Sequence, residues 1–82
     1  MNRNDLPNIL YDTLDQLGGK ADIVSVCKYI WEHYQIQLEH SGNLFYTWQY
    51  DIRWAATELR KLGKMESAKV SSRGIWEINN RS

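Results

Sequence analysis

One cysteine, Cys27, and one proline, Pro7, are all that these 82 residues contain of either type. A lone thiol excludes an internal disulfide, and the single proline falls where the first turn of a helix tolerates it. No window approaches the ~20 apolar residues of a membrane span. The segment Met1 to Asp5 is polar and lacks the apolar run of a signal peptide, so a cytoplasmic protein is expected. An excess of either charge is missing as well. Ten Lys/Arg balance ten Asp/Glu, which argues against a strongly basic, nonspecific coat for nucleic acid. No phosphate-binding Gly-rich loop, nucleophile elbow or clustered acid and base is present. His33 and His40 have no Cys or carboxylate at recognisable metal spacing. Asp12, Asp15 and Glu32 read as solvated helix positions. Neither an enzyme active site nor a metal or other cofactor is therefore expected.

What the chain does have is aromatic bulk and an uneven placement of charge. A domain this small buries only ~60% of its unfolded surface, and four Trp, five Tyr and one Phe compensate by removing large areas from water. One autonomous domain spanning 1–82, with an ordered core over about 5–79, is the expectation. Residues 1–41 carry three basic against six acidic side chains, a net −3, and residues 42–82 carry seven against four, a net +3. A polyanion would be met by the second half, with modest affinity and a moderate salt dependence.

Leu6, Ile9, Leu10, Leu14 and Leu17 recur at helical spacing and stop at Gly18-Gly19, which predicts a first helix over roughly 5–17. Lys20-Ala21 reads as a short extended link, and Asp22 as the cap of a second helix. That helix carries the stripe Ile23, Val26, Cys27, Ile30 and Tyr34, and should end between 33 and 35. On the stripe, Cys27 reads as a small buried hydrophobe. Residues 36–43 lose periodicity and contain the turn composition His40-Ser41-Gly42-Asn43. A connection of about eight residues exceeds the tight turn of a minimal helix-turn-helix.

The third helix, over roughly 44–62, is the most periodic segment, with Phe45, Trp48, Ile52, Ala55, Ala56, Leu59 and Leu62 on one face. Gly63 is placed to end it in a left-handed conformation. Residues 64–69 and 74–78 then read as a hairpin about the polar turn Ser71-Ser72-Arg73-Gly74, with 79–82 as a frayed tail. The fold class expected is α+β: a winged helix-turn-helix of three helices around one core, with a small C-terminal antiparallel hairpin as the wing.

Opposite the buried stripe of the third helix lie Tyr46, Tyr50, Arg53, Thr57, Lys61 and Lys64, with Gln49 and Arg60 flanking. A polar face is what any soluble helix shows, but the basic hairpin that follows tips the reading toward duplex DNA. The major groove admits one α-helix and displays acceptors that Arg meets on guanine and Gln on adenine, while Thr suits a thymine methyl. Arg53 and Gln49 are therefore the candidates for base reading, with Tyr50 and Thr57 beside them. Lys61, Lys64, Lys69 and Arg73 suit phosphates, and Arg60 and Ser72 complete the expected DNA-binding set. Trp54 falls near the outer face, where it is either roofed by the wing against Trp76 or left to make contact; the roof is expected.

Gly18-Gly19, Ile52-Arg53-Trp54-Ala55, Leu59-Arg60-Lys61-Leu62-Gly63 and Arg73-Gly74-Ile75-Trp76-Glu77-Ile78 together resemble the N-terminal winged-helix domain of the Mrr-type restriction endonucleases. The resemblance covers nearly the whole chain in order. It implies binding of double-stranded DNA on behalf of a separate nuclease domain, and it carries over no catalytic residue. Two other uses of the fold compete with this one. One is a protein-interaction or dimerisation domain, suited to zero net charge and an acidic first half. The other is a small transcriptional regulator, which would pair two recognition helices across a two-fold operator.

Overall fold

The computed structural model describes residues 1–79, and the part of the expected tail beyond Asn79 lies outside them. Order begins earlier than residue 5. The Asn2 side chain accepts from the Asn4 N–H at 2.8 Å while the Asp5 carboxylate accepts from the Asn2 N–H at 2.8 Å. This reciprocal cap closes a 3-10 turn over Arg3–Asp5.

Helix α1, Leu6–Gln16, follows directly, with its proline in the first turn. It ends in a Schellman motif, the Gly19 N–H reaching the Leu14 carbonyl at 2.7 Å and the Gly18 N–H reaching that of Asp15 at 3.2 Å. Both glycines sit at positive φ, 93° and 95°, where a side chain would be strained. The chain leaves as strand β1, Lys20–Asp22. Helix α2 begins at Ile23 under the Asp22 cap, whose carboxylate accepts from the Ser25 N–H at 3.0 Å and its hydroxyl at 2.6 Å.

Helix α2 runs to Glu39, past its expected end at 33–35, because the interruption is a kink rather than a stop. Tyr34 adopts φ −126°, ψ 17°. One residue earlier, the His33 ring stacks on Tyr29 at 3.9 Å and, as the Nδ1–H tautomer, donates to the Tyr29 carbonyl at 2.9 Å. A side chain inserted into the backbone ladder is a known origin of such bends. Beyond the kink Leu38 is fully buried and Ile36 exposed, so Leu38 extends the stripe of Ile30 and Tyr34 at four-residue spacing. The connection to helix α3, Leu44–Lys61, is then 40–43, and the eight-residue linker contracts to a tight turn.

Helix α3 packs against α1 and α2 through Trp48, Ile52, Ala55, Ala56 and Leu59, against Leu6, Leu10 and Leu14 of α1 and Val26 and Ile30 of α2. Two members of the expected stripe depart from it. Phe45 is only half-buried, and Leu62 is exposed because the helix has ended before it. A second Schellman motif closes α3, the Lys64 N–H donating to the Leu59 carbonyl at 2.9 Å, with Gly63 at φ 74°.

The sheet is where the chain departs most from the expected hairpin. Strand β2, Ile75–Glu77, pairs antiparallel with β1, placing Lys20 opposite Glu77, Ala21 opposite Trp76 and Asp22 opposite Ile75. The segment 64–69 is not a strand. Its contribution is one antiparallel bridge, Met65 to Ile78, with the Glu66 N–H donating to the Glu77 carbonyl at 2.9 Å and the Asn79 N–H to the Lys64 carbonyl at 2.8 Å. Residues 67–74 are turns and bends. The observed architecture is thus a single α+β layer pair: three helices and a two-stranded antiparallel sheet whose Trp76, Ile78 and Met65 close the core.

Leu10 is fully buried in this core, so Leu10→Ala should cost ~2–5 kcal/mol of unfolding free energy in chemical denaturation. Asp22 gives a pH signature. Its hydrogen bonds from Ser25, side chain first and backbone next, hold its carboxyl below the ordinary aspartate range. The stability it contributes is therefore present above the unfolded-state pKa and is lost as pH falls through the lower folded one. Asp22→Asn should flatten that part of the acid limb when unfolding is followed against pH.

Candidate nucleic-acid interface

Nine of the ten candidate residues fall into two exposed groups, and Arg60 stands apart. On α3, Gln49, Tyr50, Arg53, Thr57 and Lys61 are all exposed, as is Lys64 just past the terminal glycine. Their outward direction follows from the helix period, because Trp48, Ile52, Ala55, Ala56 and Leu59 occupy the buried side. Tyr50 is 74% exposed and Tyr46, one turn earlier, 83%. In the 67–74 turn, Lys69, Ser72 and Arg73 are exposed while Ser71 is buried, its hydroxyl without a hydrogen-bond partner among the described residues.

Start of α2 connects the two groups. The Ile23 N–H donates to the Gly74 carbonyl at 3.0 Å, which ties the end of the basic turn to the first turn of α2. Ile23 and Val24 in turn line a cleft of about 480 Å³ whose far wall includes Gln49 and Arg53 of α3. The Gly74 end of the turn, the start of α2 and the Gln49 and Arg53 positions of α3 are therefore linked in series.

Local bonds sort these side chains by freedom. Arg53 donates from Nη1 to the Gln49 carbonyl at 2.9 Å, one turn back, and keeps its remaining N–H groups available. The Thr57 hydroxyl donates to the Arg53 carbonyl at 3.4 Å. Lys61 pairs with Glu58 at 3.3 Å on open surface, a contact worth little in water. Among the described residues, Arg53, Lys64, Lys69 and Arg73 have no ion-pair partner.

Arg60 behaves differently. It is half-buried and donates from Nε to the Glu66 carbonyl at 3.0 Å, so it straps the end of α3 to the segment that bridges β2. Adjacent basic residues thus divide: Arg60 turns inward to the backbone and Lys61 outward to water. Trp54 is roofed, but not by the wing. Arg3 lies over its ring with the guanidinium carbon 3.9 Å from the centroid, and the same guanidinium reaches Asp51 at 3.6 Å. Trp76, the expected partner, is instead buried in the sheet opposite Ala21.

Cys27 is half-buried in the cleft wall rather than deep in the core. Burial raises its thiol pKa above the ordinary value, partly offset by the Arg53 charge. Two cleft residues escaped the reading of the sequence, Val24 and Lys28. Their spacing held the signal. Positions 24, 28 and 31 share a face of α2 turned away from Val26 and Ile30, and that largely exposed face borders Arg53.

A charged hydrogen bond to the backbone contributes ~1.5–3 kcal/mol. Arg60→Ala should therefore lower the denaturation midpoint clearly, whereas Lys61→Ala should leave it unchanged. Equal midpoints for the two variants would remove the strap from the account.

No helix of the described residues is long and apolar enough to cross a membrane. Compared with known protein families, curated proteins and solved structures, the chain matches none.

Proposed function

We propose that this protein is a winged-helix module that binds double-stranded DNA through the outer strip of α3 and the 67–74 turn, as the targeting part of a restriction-type system. The observation that carries the reading is the set of exposed cations without ion-pair partners among the described residues, Arg53, Lys64, Lys69 and Arg73. Gln49, Tyr50 and Thr57, which carry hydrogen-bonding groups, are exposed as well, and Gln49 and Arg53 line one cleft. The chain order supports it too. A strand between the first two helices that pairs with the C-terminal strand, and a basic turn entering that strand, suit a wing set beside a recognition helix. The tight 40–43 connection between α2 and α3 also suits helix-turn-helix geometry.

Division of labour follows from chemistry. Arg53 and Gln49 read base edges, with Tyr50 and Thr57 beside them, and Lys61, Lys64, Lys69, Ser72 and Arg73 hold phosphates. Arg60 leaves the contact set because, unlike the exposed Arg53, it is half-buried with its Nε bonded to the Glu66 carbonyl.

Fluorescence anisotropy with duplex DNA tests this. Saturable binding is expected, with log affinity falling against log salt at a slope of about −3 to −4 for four neutralised phosphates. Arg53→Ala should relax sequence preference at one position by ~1–3 kcal/mol, while Lys69→Ala should weaken all sequences evenly and reduce the slope by about 1. Absence of binding at low salt, or wild-type behaviour of both variants, contradicts the proposal.

A further inference from the structure

The cleft between α2 and α3 has a chemistry of its own. Its apolar side is formed by the half-buried Cys27 and Trp31 and the exposed Val24, and two exposed cations, Lys28 and Arg53, line it as well. No carboxylate lines it, and neither cation has an ion-pair partner among the described residues. At about 480 Å³ it lies within the range of small-molecule sites, which typically combine an apolar lining with a few convergent polar groups. A second hollow of about 290 Å³, walled by Phe45 and Trp48, shares Trp31 and Gln49 with it, so the apolar surface continues beyond the cation pair. Trp31 and Trp48 stand parallel there, with centroids 6.5 Å apart and planes at 6°.

We infer that this cleft binds a small aromatic carboxylate, its ring against Val24, Cys27 and Trp31 and its carboxylate between Lys28 and Arg53. Charge complementarity selects the acid. Two unpaired cations beside an apolar lining favour a ligand that is greasy at one end and singly anionic at the other, and the guanidinium fork matches a carboxylate in geometry. Arg53 has donors to spare, since its helix contact uses one N–H. The Cys27 thiol, kept neutral by burial, adds no competing negative charge. The inference needs no DNA contact, although Gln49 and Arg53 belong to both surfaces, so an acid in the cleft and DNA on α3 would exclude each other.

The test uses the DNA-free protein, titrated with 2-naphthoate and with the uncharged 2-naphthamide while backbone amide shifts are followed by NMR. Saturable shifts confined to the cleft are expected for the acid, with a Kd of about 1 mM or below for a ligand of this size. The amide should bind at least ~5-fold more weakly, and Arg53→Gln and Lys28→Gln should each bring the acid toward the amide's affinity. Both side chains are exposed, and the spectra report directly whether the variants remain folded. Equal binding of acid and amide, shifts that map elsewhere, or no saturable shift overturns the inference. A chain that binds naphthoate but not duplex DNA contradicts the DNA reading alone, and the reverse contradicts only this one.

Discussion

Strand β2 is three residues long and is held on both edges, by β1 on one side and by the Met65 bridge on the other. The rest of the structure depends on that double attachment. Flanking bonds from the Ile78 N–H to Gly19 and from the Ile23 N–H to Gly74 lock the register at both ends. Trp76 is thereby driven into the core, where an aromatic of its size offsets much of the deficit of a small domain. A slip of one residue would turn Trp76 to water and carry Ile75 and Glu77 inward. The same pairing joins the chain between α1 and α2 to its far end, so the helical half cannot be completed without the sheet.

This attachment also positions the candidate site. Because Gly74 is bonded to the first residue of α2, the basic turn cannot swing away from the helices. The Schellman end of α3 and the Arg60 strap fix the other end of the turn's excursion. Lys69, Ser72 and Arg73 are thus presented by a segment tethered at both ends, with Ser71 buried between them. A surface held in this way loses less entropy when it meets a partner than a free loop would.

The three helices were legible in the sequence wherever apolar spacing was unbroken. Leu6, Leu10 and Leu14, and the run from Trp48 to Leu59, are buried on the faces their periodicity assigns, and Asp22 caps as its side chain suggests. The second half of α2 was missed although Ile30, Tyr34 and Leu38 keep a four-residue spacing, because Leu38 stands in the largely polar segment 36–43, which reads as a connection. The pairing of strand β1 was hidden for a different reason. Lys20-Ala21 reads as extended, but residues 20–22 have no strand preference and nothing local names their partner across the sheet. The outer strip of α3 was legible from the helix wheel, but the opposite fates of Arg60 and Lys61 depend on the Glu66 carbonyl, which no local pattern reveals. Arg3 over Trp54 is likewise a tertiary contact between distant residues.

Division of α3 into a core face and a partner face is the central claim, and amide shift mapping of the protein with duplex DNA tests it most directly. Shifts are expected at Gln49, Tyr50, Arg53 and Thr57 and across 64–73, with α1 and the buried positions of α3 unmoved. Shifts concentrated on α1 or on the second half of α2, or none at any DNA concentration, would contradict it.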